Sequence, residues 1–483
     1  MRSFLVVSLL FFLLPAVLPA QQTQKPEELF SDAVFFYNIE DFREAAFLFQ
    51  KLLAHNPENP NFNFYAGMSL LNVKGQERNA IPFFESAVTQ TNIKVKKKNF
   101  KEKRAPHHAW FYLGNAYRID NQLDKALNSY QKFRDIQNFE KHYNVRILGE
   151  EIDACSRAKI IQDSPLNLRK VNQGISLNTS LSDYNPVLSV DENTIVFVSS
   201  QRFYEAIMHA KRNGGSWSMP VNITSQIGSD GDFFPTFLTD NANTLYLVKK
   251  NKSGGDIYVS KFDGNIWSTA KPLNANINTR SDESHASLSP DERFLYFSSD
   301  RRGGFGGLDL YVSELQSDGE WGPAVNMGDV INTMEDENTP YLSKDAGTLF
   351  FASKSHFNMG GYDIFFSRKD PGGGWKNPVN IGYPINTTND DLFFFPTGNG
   401  IEGYVALYDD EEGQGQEDIY RVEVIDLKDS SELFQNLNQS FPIELTDDDS
   451  GEITNLFNDT ESNIFRVKTD NKGNNYKIKI SGK

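Results

Sequence analysis

The chain has 483 residues, enough for two or three domains with cores of their own. Apolar residues make up 39%, charged ones 23% and aromatic ones 13%, a globular mix that excludes disorder as the main state and suits β-rich packing. The 48 Lys and Arg stand against 64 Asp and Glu: a net charge of -16 is the wrong sign for counterion-release binding to nucleic acid, and a lone Cys155 excludes an internal disulfide or a cysteine-rich metal site.

The first element is a candidate export signal over residues 1–20. Met1 and Arg2 form a positive start, Phe4 to Leu18 an apolar core of 15 residues, and Ala20 ends a small-residue stretch before Gln21. The alternative, an uncleaved anchor, fits less well because spanning a bilayer takes about 20 residues. No cysteine follows the apolar core, and no later stretch is apolar enough to cross a membrane.

From 26 to 164 the apolar spacing is helical. Trp110, Leu113, Gly114, Tyr117, Ala126 and Tyr130 stand at the offsets of a 34-residue tetratricopeptide repeat, in which Gly114 lets paired helices approach. Ala45, Phe49 and Pro57, then Gly67, Ala80, Phe84 and Ala87, repeat parts of the pattern, so three helix pairs are expected, with an amphipathic stretch from Tyr143 to Ile161 capping the open end. His108, Phe111, Asn115 and Arg118 are expected on the concave side, either as a plain solvated face or as a peptide site. Lys94, Lys96, Lys97, Lys98, Lys101, Lys103 and Arg104 form the one basic run of an acidic chain. It reads as a solvated loop between repeats or as a docking patch for an acidic partner or anionic headgroups.

From 166 to 424 the period becomes about 54 residues and the local pattern that of alternating strands. Trp217, Trp267, Trp321 and Trp375 are 50, 54 and 54 apart, and Asp256, Asp309, Asp363 and Asp418 are 53, 54 and 55 apart. Ile277-Asn278-Thr279 recurs at Ile331 and Ile385 in the same step. The best-formed unit reads as four strands, Ser284–Ser289, Phe294–Ser299, Leu308–Glu314 and Trp321–Asn326, which describes a propeller blade. Inner strands beginning near Asn185, Phe234, His285, Thr339 and Phe393 make five blades. The fifth lacks its outer strand, whereas Lys170 to Thr179 aligns with Pro378 to Thr387, so the first strand is expected to close the ring against Asp418 to Val424. Residues 425–483, with Asp447-Asp448-Asp449 and alternating Phe465-Arg466-Val467 and Tyr476 to Ile480, read as a short strand-rich appendage. The fold class is therefore multidomain α + β: a helical solenoid, a five-bladed propeller and a short tail.

Tyr296 to Tyr311, with its Ser-Ser-Asp-Arg-Arg-Gly-Gly core, resembles the TolB-type, WD-repeat-like propeller repeat. Followed by Trp321, Pro323, Asn326, Ile331-Asn332-Thr333 and Met359 to Phe365, it is similar to the propellers of Bacteroidetes OmpA-family envelope proteins, the PorE-type group of type IX secretion among them. Tetratricopeptide repeats often precede such propellers. The resemblance spans about Pro26 to Val424 and implies a scaffold in the periplasm, associated with the outer membrane, whose partners are other envelope proteins or their peptide tails. The lipidated cysteine and peptidoglycan-binding domain usual in that family have no match here, so anchoring does not carry over. Extracellular release is the other address.

No catalytic constellation emerges. The seven histidines are scattered, no Gly-x-Ser-x-Gly elbow exists, and Gly303 to Gly307 leads into no helix that could cradle a phosphate. The sequence thus reads as non-enzymatic and without a cofactor or metal. The repeated aspartates are expected to brace turns, and function is sought where blades differ: in blade one, Ala206 stands at the Asp position and Phe203 to His209 replace the glycines. The segments entering the inner strands carry Asp183, Asp232, Asp282 with Glu283, Asp336 with Glu337, and Asp390 with Asp391. They either cap turns or form a ring that receives a cation or basic peptide. A glycan-cleaving enzyme or carbohydrate-binding protein using this acidic mouth is the competing class, although the repetition gives it no asymmetric pair of acids.

Overall fold

The computed structural model describes residues 24–425 except 252, 253, 399, 410 and 411, together with the backbone of strands Glu444–Asp447, Ile464–Lys468 and Asn475–Lys479. The candidate export signal lies outside the described residues, and no described helix is long and apolar enough to cross a membrane.

Seven α-helices come first: α1 Pro26–Asn38, α2 Phe42–Leu53, α3 Pro60–Leu71, α4 Ile81–Ala87, α5 Ala109–Ile119, α6 Leu123–Arg134 and α7 Val145–Gln162. Short polar caps start several of them. Asp41 accepts the Glu44 N–H ahead of α2, Asn59 accepts from Asn61 and Phe62 beside a Pro at the first helical position, and Asn144 accepts from Arg146 and Ile147. Consecutive helices pack on each other, and glycine sets the closeness where the repeat pattern placed it. A Cβ on Gly114 would lie 2.3 Å from the Tyr130 ring, and one on Gly67 would lie 2.9 Å from Phe84, so both positions demand hydrogen. The capping stretch forms as α7, which packs on α5 and α6 and also reaches the propeller with Arg146 and Arg157.

Five antiparallel sheets follow, one per blade. Blades two, three and four are each continuous in sequence; blade three runs Glu283–Leu288, Phe294–Ser299, Asp309–Glu314, Val325–Asn326 from the axis outward. The outer strand is shorter than expected, and Trp321 lies outside it in an isolated bridge to Leu315. Blade five orders Phe395–Thr397, Glu402–Leu407 and Asp418–Val424, and its fourth strand is Leu168–Asn172, paired from Tyr420↔Asn172 to Val424↔Leu168. The ring therefore closes by hydrogen bonds between its two ends, which gives blade five its fourth strand.

Most inner strands start irregularly. Register shifts interrupt them between Tyr184 and Val187, Glu283 and Ala286, and Asn338 and Tyr341, and Asn185, Thr339 and Phe393 adopt positive φ. Such a bulge re-aims a side chain, here toward the axis. The axis is consequently filled. The Tyr341 ring lies 4.7 Å from Phe395 and 6.1 Å from Phe237, and His285 lies 4.8 Å from Phe393, two blades on. The tail strands form a separate three-stranded sheet in the order 444–447, 475–479, 464–468.

Candidate functional site

The acids at the inner-strand entrances fall into two sets, each held by loop donors, although Asp183 keeps one buried oxygen without a partner. In the first, Glu283 accepts from the Thr279 N–H and Oγ1 and from Ser299 Oγ at 2.7–3.0 Å. Glu337 accepts likewise from Thr333 and Ser353, Asp391 from Thr387, and Asp183 from the Thr179 N–H. These acids close the Asn-Thr turn four residues upstream in their own chain segment. In the second set, Asp282 accepts the Gly255 N–H at 2.6 Å, Asp336 the Leu308 N–H at 3.0 Å and Asp390 the Tyr362 N–H at 2.8 Å. Each of these binds the preceding blade. Asp232 and Asp336 also pair with Lys249 and Lys354. The contacts are those of turn-capping acids. Burial pushes Glu337 up to about 8 and Asp183 up to about 6, so both hold their protons more tightly than a free carboxyl.

Three of the repeated aspartates, Asp309, Asp363 and Asp418, brace turns. Asp309 accepts the Phe305 and Gly306 N–H groups and Asn326 Nδ2; Asp363 accepts from Met359 and Asn380, and Asp418 from Gln414 and Asn172. The Asn of each Asn-Thr turn completes the brace: Asn332 accepts the Leu310 N–H and donates to the Leu310 carbonyl, as Asn386 does at Ile364 and Asn178 at Ile419. Blade one departs from this scheme. Ala206 occupies the Asp register, opposite Ser199, and Thr224 Oγ1 accepts the Ile207 N–H in place of the Asn.

The acid-bearing end of the propeller is where the helices dock, and they do so with cations. Arg43 of α2 donates to the Gln201 carbonyl at 2.9 Å, to Ser200 Oγ at 3.2 Å and to Glu205 at 2.6 Å, all in blade one. Lys74, after α3, pairs with Glu417 at 3.0 Å and lies 5.1 Å from the Tyr184 ring centre. Gly75 beside it, at φ +77°, touches Gln416 and Ser182 where a side chain would clash. Arg78 stacks 3.8 Å over Tyr408, Arg157 donates to the Asn358 carbonyl at 2.7 Å, and Arg146 pairs with Glu335 at 2.6 Å.

Arg118, offered by the sequence to a peptide, is only 6% exposed; it donates to the Thr388 carbonyl and pairs with Glu151 of α7 at 2.9 Å. Asn115 accepts from Tyr130 Oη, and Phe111 packs against Tyr112, Tyr130 and Phe133. These three residues serve the helix packing and the seam. The docking partners Glu205, Glu417, Asn358 and Thr388 had one signal between them, the departure of blade one from the repeat.

Among the described residues no group of three His, Cys, Asp or Glu is placed to hold a metal ion. A shallow depression of about 300 Å³ between blades one and two is lined by His209, Lys211, Phe262 and Trp267 among others, and burial pushes His209 down to about 4, so it is neutral at physiological pH.

No family model matches the chain, and no curated protein does. Among solved structures it is similar to TolB from Acinetobacter baumannii, with 15% identity and a TM-score of 0.31 over 50% of this chain and 54% of that one, so the match spans about half the TolB chain. It is also similar to β-1,2-mannobiose phosphorylase from Listeria innocua, with 10% identity and a TM-score of 0.38 over 57% of this chain and 100% of that chain. A GH62 α-L-arabinofuranosidase catalytic domain from Coprinopsis cinerea gives 9%, 0.36, 54% and 98% in the same order.

Proposed function

We propose that this protein is a non-enzymatic, exported scaffold of the periplasm, associated with the outer membrane, in which tetratricopeptide-type helices and a propeller act as one rigid partner-binding body. The observation that carries the reading is the seam: six cations of the helical region, Arg43, Lys74, Arg78, Arg118, Arg146 and Arg157, engage blades one, four and five at one propeller end. Several of these contacts end on backbone carbonyls or part-buried acids, so the two domains are held in a single relative orientation rather than tethered by a linker. Fixed geometry is what a scaffold needs. The carboxylates at the mouth favour the same reading over an acidic-channel enzyme, because Glu283, Glu337 and Asp391 are each held by a loop N–H group and hydroxyl and the axis behind them is filled by Tyr341, His285 and Phe393. Partners are expected to be other envelope proteins or their tails. Cross-linking in intact cells, followed by purification and protein identification, should recover the chain with envelope proteins in the periplasmic or outer-membrane fraction. Recovery only as a free species in the medium would overturn the reading.

A further inference from the structure

The basic run between α4 and α5 is a folded platform. Its two ends are clasped by a parallel pairing of Thr91–Asn92 with Ala105–Pro106, and the Lys98 N–H donates to Tyr65 Oη at 3.0 Å. Inside the loop, Glu102 is 7% exposed and faces inward, where it accepts the N–H groups of Lys96, Lys103 and Arg104 and the Nε of Arg104 at 3.0–3.1 Å. The one acid of the segment is spent on holding the loop, and these hydrogen bonds pull its carboxyl down to about 2. Lys94, Lys96, Lys97, Lys98, Lys101, Lys103 and Arg104 are all exposed. Among the described residues, Lys94, Lys96, Lys97, Lys101 and Lys103 have no carboxylate partner.

Apolar side chains border these charges. Ile93 is 42% exposed beside Lys94. Lys98 Nζ reaches Asn38 at the end of α1, tying the loop to the last turn of that helix, where Phe35 and the capping residue Ile39, four positions apart, are 57% and 46% exposed. We propose that this platform is a peripheral membrane-binding surface, in which the lysines meet anionic lipid headgroups while Phe35, Ile39 and Ile93 enter the headgroup layer. Six of the seven cations are lysines, compact charges on flexible stems that suit a diffuse anionic plane; defined carboxylate partners favour the planar arginine fork, which this chain uses at its own seam. The net charge of -16 turns the rest of the molecule away from such a plane and so orients it. The contacts of the loop stay within the helical region, so it is free to bind with the seam intact.

Co-sedimentation of the purified protein with vesicles of phosphatidylglycerol in phosphatidylcholine tests this. Binding should need the anionic lipid and weaken as salt rises from about 0.1 M to about 0.5 M. The quadruple variant Lys96→Gln, Lys97→Gln, Lys101→Gln, Lys103→Gln should melt like the parent and lose on the order of a thousandfold in partitioning. Phe35→Ser with Ile39→Ser should remove the part that survives high salt, which a purely electrostatic loop would not show. No binding by the parent, or equal binding by the quadruple variant, overturns the proposal. Tight, lysine-dependent binding of polyglutamate with no vesicle binding overturns it in favour of an acidic protein. The inference stands apart from the scaffold reading, since vesicle binding can fail while cross-linking recovers a protein partner, and the reverse.

Discussion

Blade one and blade three pair their first three strands in the same order, and the difference that matters lies at the hairpin between the second and the third. In blade three, Gly303 to Gly307 wrap around Asp309, which gathers two N–H groups and an Asn amide at the strand start. In blade one, Ala206 stands at the Asp register and the preceding Glu205 points out of the blade to Arg43 of α2. The repeated acid thus holds its own blade, whereas the unrepeated one joins two domains. In a repeat protein, what recurs serves the repeat, and contacts to anything else must be built where the repeat is broken.

The sharpest way to break this contrast is at the repeated acid. Asp309→Ala removes a fully buried acceptor from three part-buried donors and should cost about 1–3 kcal/mol, seen as a lower melting temperature of the propeller transition. The docking of the helices should be unchanged. A loss under about 0.5 kcal/mol would mean that the glycine loop finds other acceptors and that Asp309 is no hub.

The recurrence of these hubs is also why the propeller was legible in the sequence. Asp309, Asn326 and Asn332 bond to one another's loops in blade three, and blades four and five keep the same three at Asp363, Asn380 and Asn386 and at Asp418, Asn172 and Asn178. The closing strand was legible for the same reason: Asn172 and Asn178 stand at the offsets of Asn380 and Asn386, and bond Asp418 and Ile419 as those bond Asp363 and Ile364. The seam was not legible. Arg118 and Arg157 end on the carbonyls of Thr388 and Asn358, more than two hundred residues away, and a backbone acceptor leaves no complementary charge to find. The mouth acids were open between ring and cap, although the four-residue step from Thr279 to Glu283, repeated at Thr333 and Thr387, is the spacing of a side chain closing its own turn.

Protonation separates the two kinds of acid more gently. Glu337 is fully buried, and burial raises it to about 8 against about 4.3 in an unfolded chain. The folded state then binds the proton more tightly, so the contribution of this group is complete below about pH 4.3 and is lost as pH rises toward about 8. Glu337→Gln removes the titration and keeps an acceptor for the Thr333 N–H. The melting temperature of the parent relative to this variant should fall by about 2–4 °C between pH 5 and pH 8. A difference that stays flat, or rises with pH, would show that Glu337 is ionised in its cap.

The smallest effect belongs to the unrepeated acid, and it is the one that tests the seam itself. Arg43 and Glu205 are 2.6 Å apart with side chains 34% and 18% exposed, so water screens the pair and its coupling should be about 1 kcal/mol. Single replacements overstate it, because Arg43→Ala also frees the Gln201 carbonyl and Ser200 Oγ. A double-mutant cycle with Glu205→Ala removes the cost at the Gln201 carbonyl, which occurs in both legs that lose the arginine, and reads Ser200 Oγ, which donates to Glu205 at 2.8 Å, as part of the coupled unit. The blade-three acid supplies the control: Arg43→Ala combined with Asp309→Ala shares no partner and should add to within about 0.5 kcal/mol. If the first cycle also sums to zero, Glu205 does not dock the helices and the departure of blade one needs another cause. If both cycles show coupling, the hub and the seam are one cooperative unit, and the distinction between what holds a blade and what joins the domains is lost.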